Sequence, residues 1–588
     1  MLRFIVLLFI LIIYTFIMES DLTCVIPDDV IEQLCKVDST LQSFCNQKFK
    51  YGTAGFRYKA VVLDKIAFRS AIVTCLLSMS KQALPYGIMI TASHNKCEDN
   101  GIKVAGDKGE MLLQKEEHYY EDIVNAVNLK DTIISICNQL HIQQIKCAVV
   151  LGIDTRDSCT KLSSLMLQVF DIIKTCEYKF YGIITTPCLH FLTFLSQMKY
   201  KQKGMLVKGD FPSDKEYWTY FTNAFNNYNS FYRTYFTNAN DSSSLSTLKK
   251  YESTLTIDCS NGIASHIKDN IANAINSSEL SVTFINTDEH NKSKLNEGCG
   301  AEYVHKEHKY PENQNTSTIK NLSFDGDVDR IIYYVYSSQL PKLIDGDRLI
   351  VLYSTILNFF LSKLSTNLYN TFLSKIKIGI ITTAYANGEL MNYVKTNLKG
   401  LELILAKTGV KYLHEQARKF DIAVYFEANG HGTIYCDEHL QEKFEKLNCF
   451  VESSKDSQVL ELMQHFLSMF NLTVGDAVSS LFATESSLRT LNMCIHDVYT
   501  MYKELPSKNA KVCVKDKNKF IPNDNETRLI QPIAVQNEID ALVSKVNKGR
   551  CFIRPSGTED VVRIYAEAAS ADDVECIINK MILILKEY

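Results

Sequence analysis

The sequence predicts several layered α/β domains in one chain, and three observations carry that expectation. At 588 residues the chain is too long for a single hydrophobic core. Short apolar runs stop repeatedly at small polar residues and a turn: Ile90 before Thr91-Ala92-Ser93, Ile153 before Asp154, Ile257 before Asp258, Phe324 before Asp325. Stretches with helical spacing separate them, which is the pattern of strand, polar tip and helix. Hydrophobic content of 46% and charged content of 22% are ordinary for globular domains.

Taken in order, the chain opens on Leu2 to Met18, apolar apart from Arg3 and Thr15. This leader (residues 1–20) is slightly short of the ~20 residues that span a bilayer. It reads as a signal anchor, a cleaved signal or an extension outside the translated protein. Asp28 to Gln47 has helical spacing in Val30, Ile31, Leu34, Leu41 and Phe44. Tyr51 to Arg57 is a glycine turn in which Arg57 is a potential anion contact. Ala67 to Leu84 predicts a helix, Tyr86 to Ile90 a strand, and Glu116 to Asn138 another helix. The strand delivers Ser93 at its tip, where an open α/β sheet places its chemistry.

Cys147 to Ile153 and Tyr181 to Ile184 predict further strands. Residues 211–250, rich in Tyr, Phe, Asn and Ser, mark a boundary or insertion, and their aromatics are expected to pack rather than stack on a ligand. Strands follow at Thr254 to Ile257, Ser281 to Ile285, Asn321 to Phe324, Ile376 to Ile381, Asp421 to Tyr425, Ala510 to Val514 and Cys551 to Arg554.

A net charge of −4 with no block of Lys and Arg argues against a nucleic-acid partner. The 18 cysteines show no C-x-x-C pair, so free thiols and a cytoplasmic setting are expected. No P-loop, dinucleotide fingerprint, H-E-x-x-H or G-x-S-x-G elbow is present, which leaves nucleotide, dinucleotide and ordinary serine-hydrolase chemistry unsupported.

Three loops carry chemistry of their own. Asp325, Asp327 and Asp329 alternate around Gly326, so in extended backbone their carboxylates share one side. Such a trio is a solvated acidic turn or a site for a hard divalent ion, Mg²⁺ or Ca²⁺; the apolar Ile331 to Tyr334 that follows favours the ion. Arg330 at the sixth position and Tyr336 at the twelfth rule out an EF-hand. Glu427-Ala428-Asn429-Gly430-His431-Gly432 is a polar turn or a set of groups suited to sugar hydroxyls. Arg554-Pro555-Ser556-Gly557-Thr558, with Arg563 beyond, reads as an anion cradle, although Ser-Gly-Thr turns are common.

In this order the loops resemble those of the α-D-phosphohexomutases, and most closely the branch acting on N-acetylglucosamine phosphates. The stretches carrying the likeness are Tyr51–Arg57, Thr91–Asn95, Glu98–Lys103, Gly109–Leu112, Ile184–Pro187, Leu295–Ala301, the aspartate loop, Phe426–Thr433 and Arg554–Ala568. The resemblance implies four domains around a central cleft: three related α/β domains and a smaller C-terminal α+β domain. Mapped onto this chain they are 21–199, 200–341, 342–486 and 487–588.

It further implies that Ser93 is a phosphoserine and that Asp325, Asp327, Asp329 and a phosphate oxygen on Ser93 hold Mg²⁺. Glu427, Ala428 and Asn429 would bind the sugar; Arg554, Pro555, Ser556, Gly557, Thr558 and Arg563 would bind the phosphate of a small sugar-phosphate substrate. Arg57 and Lys103 match positions near the reacting phosphate. The activity implied is exchange of 6-phosphate and 1-phosphate through a bisphosphate. The alternatives are a glucose or mannose phosphate mutase, a metal-dependent phosphatase, or a non-catalytic binding protein tethered through residues 2–18. The Asp-x-Asp-x-[Thr/Val] phosphatase pattern would need Thr or Val at 329, where this chain has Asp. Two residues depart from the family pattern. Lys96 replaces a proline and is expected to loosen the serine loop or add positive charge there; Val328 replaces an alanine.

Overall fold

The computed structural model describes residues 25–42, 47–52, 55–238, 250–276, 280–557 and 560–588. The apolar leader, Phe44 and Thr558 lie outside the described residues. The described chain divides into two compact units. The first contains residues up to Ala92, Glu98–Ile184 and Leu192–Pro212; the second contains Ser93–Cys97, Thr185–Phe191 and Ser213–Tyr588.

The first unit is built on a sheet of β1 (Phe56–Lys59), β2 (Tyr86–Ile90), β3 (Asp99–Ala105), β4 (Cys147–Ile153) and β5 (Cys176–Ile183). Its order is β1-β3-β2-β4-β5. β2, β4 and β5 run parallel, whereas β3 returns antiparallel beside β2. Every side chain of β2 is buried, as expected of a strand covered on both faces. The helix Leu63–Ser80 packs on this sheet and is apolar nearly all round. Its one buried cation, Arg69, is matched by a two-pronged ion pair with Asp38, both contacts at 2.8 Å.

The predicted helix Glu116 to Asn138 is two helices, Gln114–Val124 and Leu129–Gln139. Asn125 turns its amide onto the carbonyls of Glu121 and Phe49, and Asn128 caps the second helix by accepting from the Asp131 N–H. Two asparagines bonding locally outweigh the continuous apolar spacing.

The second unit has a sheet of β6 (Thr254–Asp258), β7 (Ser281–Ile285), β8 (Lys320–Phe324), β9 (Ile331–Val335) and β10 (Lys342–Ile344), ordered β10-β9-β8-β6-β7. Another holds β11 (Ile378–Thr383), β12 (Leu401–Ala406), β13 (Ile422–Phe426) and β14 (Gly432–Cys436), ordered β12-β11-β13-β14. A last group holds β15 (Ser507–Val512), a short pair β16 (Ile521–Pro522) and β17 (Leu529–Gln531), then β18 (Arg550–Pro555) and β19 (Val562–Glu567). β15, β19 and β18 form an antiparallel sheet with its own core, which includes Val512, Ile553, Ile564, Ile577 and Met581.

One arrangement recurs in the first three sheets. A buried strand (β2, β8, β13) runs parallel to one neighbour (β4, β6, β11) and is followed in the chain by its antiparallel neighbour (β3, β9, β14). The turns closing these hairpins are residues 91–98, 325–330 and 427–431, and residues 556–561 link β18 to β19 in sequence. These are the serine, aspartate, glutamate and arginine loops of the sequence.

The aromatic-rich stretch forms the helix Asp214–Asn238. Phe225 stacks on Phe482 with ring centroids 4.8 Å apart, and the hydroxyls of Tyr217 and Tyr228 bond Asp476 and Thr490. These rings are core, as their composition suggested.

Candidate active site

The aspartate loop leaves β8 at Phe324 and is buried throughout: Asp325 and Asp327 are 0% exposed and Asp329 3%. One oxygen from each of the three carboxylates lies within 4.8 Å of the others. Val328 between them holds a left-handed backbone, φ 64°, which a β-branched residue rarely adopts. That turn folds Asp325 back over the loop, where its Oδ1 accepts the N–H groups of Asp329 and Arg330, each at 3.1 Å. Thr186 donates to Asp327 Oδ2 at 2.6 Å.

Burial, reinforced by the neighbouring charges of Asp329 and Asp327, pushes the Asp325 carboxyl well above its ordinary range. Arg330 offsets this in part. Its Nε lies 3.7 Å from Asp329 and 4.0 Å from Asp325, while its Nη1 is committed to Glu302 at 3.1 Å. Burial works against the Arg330 charge, yet Asp329, Glu302 and Asp325 hold it protonated. Arg330 is thus shared among three carboxylates, of which Glu302 also pairs with Lys306. An all-oxygen set of this kind fits a hard divalent cation and not zinc.

Ser93 joins this site directly. Its Oγ donates to Asp325 Oδ2 at 2.6 Å, and its backbone is left-handed, φ 54°. Asn296 secures the loop by donating to the carbonyls of Ser93 and Asn95 at 3.0 and 2.9 Å. Gly326 lies so close that a Cβ there would sit 2.5 Å from the Ser93 carbonyl oxygen. His94 is within 3.5 Å of Ser93 Oγ and 3.8 Å of Glu302. Lys96 is exposed and pairs with Glu297 at 2.9 Å, so its charge braces the serine loop against the segment that carries Asn296.

The glutamate loop lies beside the aspartate loop. Arg330 and His431 form a β-bridge, and His431 Nδ1 is 3.4 Å from Asp329 Oδ1. Asn429 donates to Glu427 at 3.3 Å and accepts from the His431 N–H at 3.0 Å, which presents carboxylate and amide together. Gly430 is left-handed, and a Cβ there would sit 2.0 Å from the Ile331 carbonyl oxygen, so no other residue fits. The Ala428 carbonyl accepts the Gly346 N–H at 3.2 Å.

In the arginine loop, Arg554 on β18 stands directly opposite Arg563 on β19. Like charges facing each other across strands are unfavourable unless an anion joins them, and the Glu526 carboxylate lies 3.7 Å from Arg554 Nε. Arg554 lies against the Tyr385 ring, 5.3 Å from its centroid, and donates to the Tyr385 hydroxyl at 3.1 Å. Pro555 ends β18 and Ser556 is buried; a Cβ on Gly557 would meet nothing within 4 Å, so the backbone there is open to approach. Arg57 and Lys103 belong to the first unit, on β1 opposite Gly101 and on β3 opposite Met89.

Comparison with known proteins follows this geometry. The chain is 36% identical over 541 residues to phosphoacetylglucosamine mutase 1 of Schizosaccharomyces pombe, covering 91% of this chain and 98% of that protein. It belongs to the phosphoacetylglucosamine mutase family. The human phosphoacetylglucosamine mutase is 33% identical, over 91% of this chain and 93% of its own. The family described as phosphoacetylglucosamine mutase AMG1, domain III, matches residues 345–493. Phosphoglucomutase/phosphomannomutase domain I and C-terminal domain match 64–131 and 510–583.

The fold is that of the α-D-phosphohexomutases. A substrate complex of N-acetylglucosamine-phosphate mutase superposes with a TM-score of 0.82 at 33% identity, covering 95% of this chain and 100% of that one. The Aspergillus fumigatus N-acetylphosphoglucosamine mutase in complex with GlcNAc-6P and magnesium gives 0.83 at 30% identity, covering 95% and 99%.

Two supporting residues of the site carried no sequence signal of their own: Asn296 and Thr186. Asn296 and Thr186 lie inside stretches that resemble the family, so the likeness flags them, but only folding shows what they hold.

Proposed function

We propose that this protein interconverts N-acetylglucosamine 6-phosphate and N-acetylglucosamine 1-phosphate in the cytoplasm, supplying UDP-N-acetylglucosamine synthesis, with Ser93 as phosphoryl carrier. The observation that carries the reading is the 2.6 Å contact of Ser93 Oγ with Asp325 in a trio of buried carboxylates. Kinship supports the substrate, since related structures are complexes with GlcNAc-6P, with product and with glucose 1,6-bisphosphate.

Asp325, Asp327, Asp329 and a phosphate oxygen on Ser93 would hold Mg²⁺, which when bound neutralises charge on the transferring phosphoryl group. The bond from phosphorus to Ser93 Oγ breaks as one to the sugar O1 forms, giving a bisphosphate. The sugar then turns end for end, the O6 phosphoryl returns to Ser93, and the 1-phosphate leaves. Asp325 and Asn296 orient Ser93. Glu427, Ala428 and Asn429 take the sugar, and Arg554, Pro555, Ser556, Gly557, Thr558 and Arg563 take the phosphate that is not being transferred. Positioning supplies much of the rate.

In the proposed organisation, domains 21–199, 200–341, 342–486 and 487–588 contribute one loop each. Among the described residues no helix is long and apolar enough to cross a membrane, and the cysteines are free thiols, as suits a reducing compartment. Membrane contact would fall to residues 2–18. The test is a mutase assay of Ser93→Ala with N-acetylglucosamine 6-phosphate, alongside the intact mass of the wild type. Loss of activity and a phosphate on wild-type Ser93 are expected; full activity in Ser93→Ala overturns the reading.

A further inference from the structure

A second cluster of ligating side chains lies in the first unit and plays no part in the mutase chemistry. Cys147 is the first residue of β4 and Cys176 the first of β5, and the two stand directly opposite each other in parallel register. Cys75 comes from the middle of the helix Leu63–Ser80, which packs against β4. The three sulfurs all lie within 4.8 Å of one another, and Cys75 and Cys176 are 4.0 Å apart. Three sulfurs around a metal bonded at about 2.3 Å stand about 4 Å apart, which the Cys75–Cys176 separation already matches and the third sulfur approaches. A disulfide would need about 2.05 Å, and none of the three is so bonded.

Burial decides what such a set accepts. Cys75 and Cys147 are 0% and 1% exposed, and Cys176 is the least buried residue of the three. Isolated buried cysteines act as small hydrophobes and have no reason to converge. Here a helix and two strands each turn a thiol to one point, at the strand-start end of the sheet. That is the end away from the polar tips of β2 and β4.

We propose that Cys75, Cys147 and Cys176 form a three-thiolate site for a thiophilic divalent ion of the zinc class, with the fourth position open to water beside Cys176. Binding releases the three thiol protons to solvent and replaces the S–H bonds with metal–sulfur bonds. All-sulfur donors select such an ion against Mg²⁺, just as the all-oxygen aspartate loop selects Mg²⁺ against zinc. The ion clamps the helix Leu63–Ser80 to β4 and β5, so it stabilises the folded protein without entering the reaction.

The experiment uses the full-length protein, reduced, freed of transition metals and kept in excess Mg²⁺. Titration with Cd²⁺ in the presence of a competing chelator is expected to raise a sulfur-to-metal charge-transfer band that saturates at one ion per chain and to raise the thermal midpoint. The band is lost in Cys147→Ser and kept in Cys513→Ser, an exposed cysteine on β15's far flank. Absence of a saturating band, or a band that survives Cys147→Ser, overturns the proposal. Should Cys147→Ser fail to fold, alkylation of the wild type decides. Zn²⁺ is expected to slow labelling of Cys176 at least tenfold, and equal rates with and without Zn²⁺ overturn the site.

Discussion

Ser93 Oγ and Asp325 Oδ2 are 2.6 Å apart across 232 positions of sequence. A phosphoryl group on that oxygen would stand beside the carboxylate trio. The contact depends on how closely the loop backbones approach, and the predictions below probe that approach and the charges around it.

Gly326→Ala should damage activity more than stability. The added methyl would stand 2.5 Å from the Ser93 carbonyl oxygen and must push the serine loop away from the aspartates. A displacement of about 1 Å at a reacting group costs about a hundredfold. A fall of that order in kcat/KM, with a near-native circular dichroism spectrum, is expected; unchanged kcat/KM would show that the approach is not limiting.

Asn296→Ala removes both hydrogen bonds that fix the serine loop. Leaving the carbonyls of Ser93 and Asn95 unsatisfied costs about 1–3 kcal/mol. If Ser93 carries the phosphoryl group as proposed, the loss should appear in kcat, tenfold or more, with KM nearly constant, because Asn296 holds the backbone of Ser93 and Asn95. Asn296→Asp, which keeps the shape but not the donor, should behave like the alanine variant.

Chelation with EDTA should abolish mutase activity and Mg²⁺ should restore it. Asp327→Asn keeps the acceptor from Thr186 but removes one negative charge from the trio. It should therefore need more Mg²⁺ for half-maximal rate while gaining thermal stability in metal-free buffer, because buried like charges are relieved. Parallel Mg²⁺ titrations and metal-free melting curves check both signs.

Stability should fall on acidification through His305. Burial lowers its pKa from 6.5 to about 4, opposed by the charge of Glu302. The unfolded chain therefore binds a proton between pH 6.5 and about 4 that the folded chain refuses, so stability rises with pH across that window. At most about 3 kcal/mol is lost by pH 4. Urea midpoints measured from pH 7 to pH 4.5 should drop less for His305→Asn than for wild type.

Much of this was legible before folding, for identifiable reasons. Cys147–Ile153 is a strand whose observed limits match the apolar run, because Lys146 and Asp154 bound it, and Ser281–Ile285 also keeps its expected limits. The spacing of Asp325, Asp327 and Asp329 announced a convergence of carboxylates, which the buried turn realises. Less legible was anything decided by local polar bonding or by distance along the chain. Asn125 and Asn128 break a helix whose apolar periodicity continues past them. The three cysteines at 75, 147 and 176 are too far apart in sequence to suggest a common site. Asn296 gains its role only from the carbonyls it meets, and no spacing rule encodes that.

The serine, aspartate and glutamate loops are each the bend of a hairpin, gripped on both sides by laddered strands. A bend held this way has surrendered its conformational freedom when the chain folds, and little ordering remains for the ligand to impose. A substrate that must be let go midway and grasped again in reverse would gain from this twice, once for each orientation it presents to the same loops.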